Sequence, residues 1–218
     1  MSAEGRFIQV VIGMLAVAGT AEAVPRGFNE PGNILVSDQF NNRVIEVSPS
    51  GDIVWQFGIV PNDVGARSPS GVNDAERIGT RTLISAAGAP PASEPLCPAG
   101  CADNRVMLVD PNGMIVWQYG HFGVAGSGHD QLIAPVQATW TPTHTVLITD
   151  QANQRVIEVT LDKNIVWQYG ATGIAGKSDN QLNGPNSVEF LDNGHFLIAD
   201  QSNNSVIEVT RSHKIVAS

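Results

Sequence analysis

A short segment with a polar start and an apolar end recurs four times along the chain. The copies are DQFNNRVIEV at 38–47, DNRVMLV at 103–109, DQANQRVIEV at 150–159 and DQSNNSVIEV at 200–209. The first three are soon followed by IVWQFG or IVWQYG, whereas the fourth continues as IVAS. Equivalent positions are 62, 50 and 50 residues apart, as in the series Arg43, Arg105, Arg155 and Ser205. A chain with such a period is built of similar structural units that stack on one another.

Each unit divides into four short apolar runs that are separated by turns. In the third unit the runs are 136–140, 145–149, 155–160 and 165–169. They are rich in Val, Ile and Thr and too short for helices, which favours β-strands. Dipeptides such as Asn193-Gly194 supply the turns. A period of about 40–50 residues with four strands in each unit is typical of a propeller blade.

We therefore predict an all-β fold, a β-propeller of about four blades, each a four-stranded antiparallel sheet with strands A to D from the inside outwards. The predicted repeats are 24–58, 59–120, 121–170 and 171–218, and strands A and B of the first repeat lie within 24–37. The fourth repeat lacks a full strand D. The ring is then closed by this chain alone, by an N-terminal strand or by another chain, or the array is part of a longer one.

Residues 1–23 allow two interpretations. Arg6, an apolar stretch at 7–19 and the small-x-small sequence Ala21-Glu22-Ala23 form the pattern of a secretory signal peptide with its cleavage site. Alternatively, residues 13–19 align with the glycine-bounded segments 120–126 and 170–176, and the preceding residues then form a strand that closes the fourth blade. The first interpretation predicts a secreted or periplasmic protein.

Two further residue types recur in the strands. Trp55, Trp117 and Trp167 occupy the same position in strand D, where large aromatic rings are expected to pack between blades. Glu46, Glu158 and Glu208 alternate with apolar residues in strand C. We interpret these glutamates either as solvent-facing members of the alternation or as hydrogen-bond partners between blades.

The charge of the chain excludes several classes of partner. The sequence has 12 Lys and Arg against 21 Asp and Glu, a net charge of −9. Nucleic-acid binding needs a basic surface, and anionic membranes attract basic segments, so neither partner is expected. The apolar stretch near the N-terminus is also too short to span a bilayer.

The second repeat carries an insertion rich in Pro, Ala and Gly at about 88–100, which accounts for most of its extra length. Cys97 and Cys101, the two cysteines of the chain, lie in or beside it. In an exported protein these cysteines are expected to form a disulfide. A metal site is the alternative, although zinc needs about four ligands and no His lies nearby in sequence; in a cytosolic protein the two thiols would stay free.

Five polar residues are the candidate binding site. Asp38, Asp150 and Asp200 stand at the start of the turn between strands B and C, and His144 and His195 hold equivalent places in or beside the turn between strands A and B. One interpretation is a ring of acidic groups at a channel mouth that binds a polar ligand or a divalent cation such as calcium. The other, which we favour, is that Asp38 and Asp150 fix their own turns through Arg43 and Arg155. Ser205 replaces the arginine of the fourth repeat, so Asp200 is expected to be the freest carboxylate.

The repeated segments resemble two known families. DQxNNRVIEV is similar to NHL-type propeller repeats, and IVWQYG resembles PQQ-like propeller blades. Similar segments occur in secreted bacterial propellers, including arylsulfotransferase-like ones, and the resemblance extends from about Val24 onwards. It implies the propeller fold, whereas the function depends on sites that differ from one propeller to the next.

The sequence favours a binding function over catalysis. It contains no GxSxG, HExxH, P-loop or GxGxxG motif, and no cofactor is evident. The first hypothesis is therefore a secreted, non-catalytic binding or scaffold module for a protein or a small ligand. The alternative is an arylsulfotransferase-like or lyase-like enzyme that acts at the channel mouth, with or without a divalent cation; a third is a quinone-cofactor propeller. A homo-oligomer that completes the ring is a further expected partner.

Overall fold

The computed structural model describes residues 24–59 and 63–218. Within these ranges the chain forms β-strands and three single-turn 3-10 helices. The two interpretations of residues 1–23, a signal peptide or a closing strand, lie outside the described residues. Four antiparallel sheets follow one another along the chain, which confirms the predicted all-β propeller fold.

In each sheet, neighbouring strands are consecutive in the chain. Sheet 1 contains β1 (Ile34–Asp38), β2 (Arg43–Val47) and β3 (Ile53–Phe57). Sheet 2 contains β4 (Val72–Ile78), β5 (Arg81–Ala89), β6 (Cys101–Val109) and β7 (Ile115–Tyr119). Sheet 3 contains β8 (Pro135–Trp140), β9 (Val146–Asp150), β10 (Arg155–Val159) and β11 (Ile165–Tyr169). Sheet 4 contains β12 (Pro185–Phe190), β13 (Phe196–Asp200), β14 (Ser205–Val209) and β15 (Ile215–Ala217).

Sheet 1 differs from the prediction because its strand A does not form among the described residues. Residues 24–33 make turns instead, and the Phe28 amide donates to the Pro25 carbonyl at 3.1 Å. Pro25 has no N–H for a strand ladder, and Gly27 has φ of 83°, which is incompatible with an extended strand. Phe28 is still buried and packs edge-on against Trp55.

The apolar core lies between the sheets. One cluster joins sheets 1 and 2, a second joins sheets 2 and 3, and a third joins sheets 3 and 4. The inner strands also meet in sequence, since β1 contacts β4, β4 contacts β8, and β8 contacts β12. No comparable contact joins sheet 4 to sheet 1 within residues 24–59 and 63–218.

Each strand D tryptophan links its sheet to the next one. The indole N–H of Trp55 donates to the Pro111 carbonyl at 3.0 Å. Equivalent bonds run from Trp117 to Leu161 at 2.8 Å and from Trp167 to Arg211 at 3.0 Å. The three acceptors lie in the turn between strands C and D of the following sheet. The prediction that these tryptophans pack between blades is therefore confirmed.

In two sheets the strand C glutamate is a partner between blades, which was the second of the two interpretations above. Glu46 is buried and bonds Arg77 of sheet 2 at 2.6 Å. Glu158 is also buried and lies 2.8 Å from Arg211 of sheet 4. These glutamates are thus partners between sheets.

One position near the start of strand C supplies another link. The residue before the Arg or Ser of the repeat has a left-handed backbone in each described sheet, and its side chain is an amide in Asn42, Asn104, Gln154 and Asn204. In sheet 2 this residue, Asn104, lies inside β6. The amide oxygen accepts a backbone N–H at the start of the next sheet. These bonds run from Gly71 to Asn42 at 2.9 Å, from Ala134 to Asn104 at 2.9 Å and from Gly184 to Gln154 at 2.6 Å. Asn suits the position because it tolerates positive φ better than most residues.

Replacing Trp167 with Phe tests the indole link. The aromatic ring against Phe196 is retained, but the Arg211 carbonyl loses its donor. We expect a cost of about 1 kcal/mol and a melting temperature lower by about 2–4 °C, measured by circular dichroism. Trp140→Phe is the control, since the Trp140 indole N–H makes no hydrogen bond in the described part of the chain. Equal shifts in the two variants would contradict the role of the indole.

Candidate functional site

The aspartates that begin the B–C turns bond within or beside their own turns. Asp38 contacts Arg43 at 2.8 Å, and Asp150 contacts Arg155 at 2.8 Å. The pairing follows from strand register, because β9 and β10 place Asp150 directly opposite Arg155. In sheet 2, Asp103 bonds Arg105 within β6.

Asp150 has little capacity left for a ligand. Its Oδ1 accepts the Ile133 amide at 2.8 Å, and its Oδ2 accepts the Asn153 side chain at 2.7 Å in addition to Arg155. Burial raises the pKa of Asp150, and the hydrogen bonds from Ile133 and Arg155 oppose that rise. The carboxylate is therefore an internal part of the turn.

Asp200 is also engaged in hydrogen bonds, with two donors where Asp150 has three, although it has no arginine partner. It is buried, its Oδ1 accepts the Asn183 amide at 2.7 Å, and its Oδ2 accepts the Asn203 side chain at 2.6 Å. The structure therefore does not leave Asp200 as a free carboxylate. Ser205 removes the positive charge without opening the turn.

The histidines lie at the other end of the sheets. His144 precedes β9 and Asp150 ends it, and His195 and Asp200 flank β13 in the same way. The structure thus brings the three aspartates to one end and the two histidines to the opposite end. His195 Nδ1 lies 2.6 Å from Glu208, and this bond lowers the pKa of the Glu208 carboxyl. His144 stands in its turn with φ of 60°, with its ring edge-on to Trp140.

A cleft of about 510 Å³ lies at the aspartate end, where the inner strands of sheets 2 and 3 begin. We call it the mouth cleft. Among the described residues, none that lines the cleft carries a charged side chain. The cleft is lined by Gln39, Asn73, residues 87–90, residues 100–102, Ala134, Val136 and Gln151. Sequence reasoning missed this site, although Gln39 and Gln151 directly follow the aspartates that it singled out.

The insertion of the second repeat forms one wall of the mouth cleft. It extends the hairpin of β5 and β6, and Cys97 and Cys101 form a disulfide at its tip. Glu94 is buried and accepts a bond from Asn42 of sheet 1 at 2.6 Å. Gly88 has φ of 105°, and a Cβ atom at this position would clash with the carbonyl oxygen of Cys101, so no residue with a side chain fits here. The wall is therefore held against both sheet 1 and its own hairpin.

A second polar cluster lines the inner strands. The Ala138 amide donates to Asp74 at 3.3 Å, and the Trp140 amide donates to Glu76 at 2.9 Å. Burial, followed by the repulsion from Asp74, raises the pKa of Glu76. The signal in the sequence was the alternation of acids in β4, which places both side chains on one face.

The described residues show neither a metal cluster nor a spanning helix. No three His, Cys, Asp or Glu side chains of the part that the structure describes are grouped so as to hold a metal ion. None of the helices in residues 24–59 and 63–218 is long and apolar enough to cross a membrane.

Asp150→Ala and Asp38→Ala form a matched pair. Removing Asp150 leaves the Arg155 guanidinium buried without its counterion, so we expect a loss of about 3–5 kcal/mol. The Asp38 pair is partly exposed, and its loss should cost about 0–1 kcal/mol. Urea unfolding of both variants measures the difference. Equal losses would contradict the internal role assigned to Asp150.

Glu76→Gln should raise the melting temperature at neutral pH. The raised pKa of Glu76 means that the folded protein binds this proton more tightly than the unfolded chain does. The contribution of the group to stability is therefore greatest below its ordinary pKa of 4.5 and falls as the pH rises through the raised value. The amide keeps an oxygen for the Trp140 N–H.

Melting curves between pH 7 and about pH 4.5, the ordinary pKa of a glutamate, test this expectation. The gain of Glu76→Gln over the native protein should shrink as the pH falls. Glu30→Gln, at an exposed carboxylate, is the control and should show no such trend. A gain that stays constant with pH would rule out a charge effect.

Comparison with known proteins supports the architecture. No family model and no curated protein matches the sequence. A streptogramin B lyase structure is 16% identical with a TM-score of 0.55, over 85% of this chain and 50% of that one. A virginiamycin B lyase from Staphylococcus aureus is 14% identical with a TM-score of 0.54, over 84% and 50%.

An auxiliary nutrient binding protein from Bacteroides thetaiotaomicron is 14% identical with a TM-score of 0.53, over 80% of this chain and 44% of that one. The chain thus spans about half the length of these solved structures. At such low identity the likeness concerns the fold alone, and it identifies the four packed sheets as blades of a β-propeller.

Proposed function

We propose that this protein is a secreted or periplasmic, non-catalytic binding module of the NHL-type and PQQ-like propeller class, with the mouth cleft as its ligand site. One observation carries the proposal. The carboxylates at this end of the sheets are engaged in their own turns, whereas the cleft beside them is lined by uncharged amides and backbone. The site is therefore suited to recognising a ligand by hydrogen bonds.

The lining determines the class of ligand. Gln39 and Asn73 make no side-chain hydrogen bond within the described residues, so both amides are available to a ligand. A carboxamide donates and accepts, which matches the hydroxyl groups of a saccharide or the amides of a short peptide. Ala87, Ala89 and Val136 add apolar surface. We propose an uncharged small ligand that carries both kinds of group.

The disulfide of the insertion supports export. Disulfides persist in oxidising compartments and are rare in the cytosol. Cys97 and Cys101 close the loop that walls the cleft, so an oxidising environment would also preserve the site.

An enzyme remains the second candidate, because the lyases named above share the fold. His121 and Asp130 lie 3.0 Å apart in the crossing between sheets 2 and 3, and the imidazole is half-exposed. Asp130 also accepts the Gly120 amide and pairs with Lys163 at 2.6 Å, which fits a structural role for the carboxylate. Lyase or sulfotransfer chemistry at this end would need a base such as His121.

A panel of neutral saccharides and short peptides, titrated by calorimetry, tests the proposed binding. For a ligand that binds, the double variant Gln39→Ala and Asn73→Ala should lose affinity by about tenfold or more, since each lost hydrogen bond is worth about 1 kcal/mol. Gln201→Ala, the equivalent glutamine of sheet 4 outside the cleft, is the matched control. Affinity should not change with calcium or EDTA, because no carboxylate of residues 24–59 and 63–218 lines the cleft.

Two results would contradict the proposal. A bound ligand that is unaffected by the double variant would place the site elsewhere. Conversion of the ligand, seen by mass spectrometry and abolished in His121→Ala, would favour the enzyme.

A further inference from the structure

One face of sheet 4 is exposed, whereas the equivalent face of each of the other three sheets is covered by the sheet that follows. Val44, Val106 and Val156 hold the same place in strand C, and each is fully buried by the sheet that follows. Their equivalent in sheet 4, Val206, is 52% exposed. The side chain and its position match, and the difference is that no described sheet follows. This apolar face is therefore built like an internal one.

In sheet 4, the side-chain amide that accepts a backbone N–H from the following sheet elsewhere in the chain has no such partner in the described residues. Asn42, Asn104 and Gln154 each accept a backbone N–H from the next sheet. Asn204 has the same left-handed backbone, with φ of 51°, but its side chain makes no hydrogen bond in the described part of the chain. An exposed valine and a hydrogen-bond acceptor thus lie on one face of sheet 4, in the arrangement that contacts the next sheet elsewhere in the molecule.

Sheet 1 presents the complementary face. Ile34 stands opposite Val47 in the same register as Val146 opposite Val159 and Phe196 opposite Val209. Val146 and Phe196 are fully buried against the preceding sheet, whereas Ile34 is 65% exposed. Val36 is likewise exposed where Ile148 and Ile198 are buried.

We propose that two copies of this chain associate head to tail, with the face of sheet 4 on one copy packed against the face of sheet 1 on the other. The same two kinds of face already meet three times within the chain, and exposed apolar patches mark interaction surfaces. Two such contacts related by a two-fold axis close a ring of eight sheets, within the range of known propellers. This inference does not depend on the proposed ligand site.

One substitution makes this contact weaker than the internal ones. Ala217 holds the place of Trp55, Trp117 and Trp167, so the indole bond between sheets is missing. The pair should therefore dissociate on dilution.

Light scattering after size-exclusion chromatography of the full chain tests the proposal. At micromolar concentration the native protein should have twice the mass of one chain. Val206→Asp puts a charge in both contacts of the ring and should reduce the mass to that of one chain, and Ile34→Asp should do the same. Val166→Asp is the matched control, because Val166 is 51% exposed on the outer strand of sheet 3.

Mixing the two monomeric variants separates head-to-tail association from other modes. Val206→Asp keeps the sheet 1 face and Ile34→Asp keeps the sheet 4 face, so the mixture should regain one contact and form a dimer. A native protein that is monomeric at all concentrations would overturn the proposal, and so would a dimer that survives Val206→Asp or a mixture that stays monomeric. A cooperative melting transition and the far-UV circular dichroism spectrum of the native protein show that each variant is folded, although a monomer is expected to melt somewhat lower than the dimeric control.

Discussion

The structure depends on the covering of each sheet's apolar face by the next sheet. A single four-stranded sheet of this size has no interior of its own, and its buried valines and isoleucines are buried only because a neighbour packs on them. The polar links follow the same direction, since the indole of Trp117 and the amide of Asn104 both reach forward to sheet 3. Stability is therefore close to a sum of contacts between neighbours.

The repeated residues form this packing, so most of the hydrogen-bonding capacity of the repeated polar residues is used within the fold. Asp150 illustrates the point, since its oxygens serve Arg155, Asn153 and the Ile133 amide. The mouth cleft differs from the other junctions between sheets by a departure from the repeat. The insertion at 88–100 occurs only in the second repeat. It forms one wall of the mouth cleft, beside the turns of neighbouring sheets.

The sequence predicted most of the fold and little of the site. Strands, turns and the role of Trp55 follow from local composition and period. Strand A of sheet 1 does not form among the described residues because of Pro25 and Gly27, and aligning the repeats does not reveal that effect. The grouping of His144 with Asp150 failed because A–B and B–C turns lie at opposite ends of strand B. Bonds such as Glu46 to Arg77 join residues 31 apart in sequence, and the period does not reveal which side chains of successive sheets face each other.

The proposed pairing and the proposed ligand site are geometrically linked. In a head-to-tail ring the two-fold axis runs along the central channel, so both copies present their B–C turns at the same end. The two mouth clefts would then open on one face, each walled by its own insertion. A ligand with two recognisable groups, or one that is displayed on a surface, would engage both clefts and gain avidity without any new contact. The weak contact left by Ala217 would make this gain depend on protein concentration.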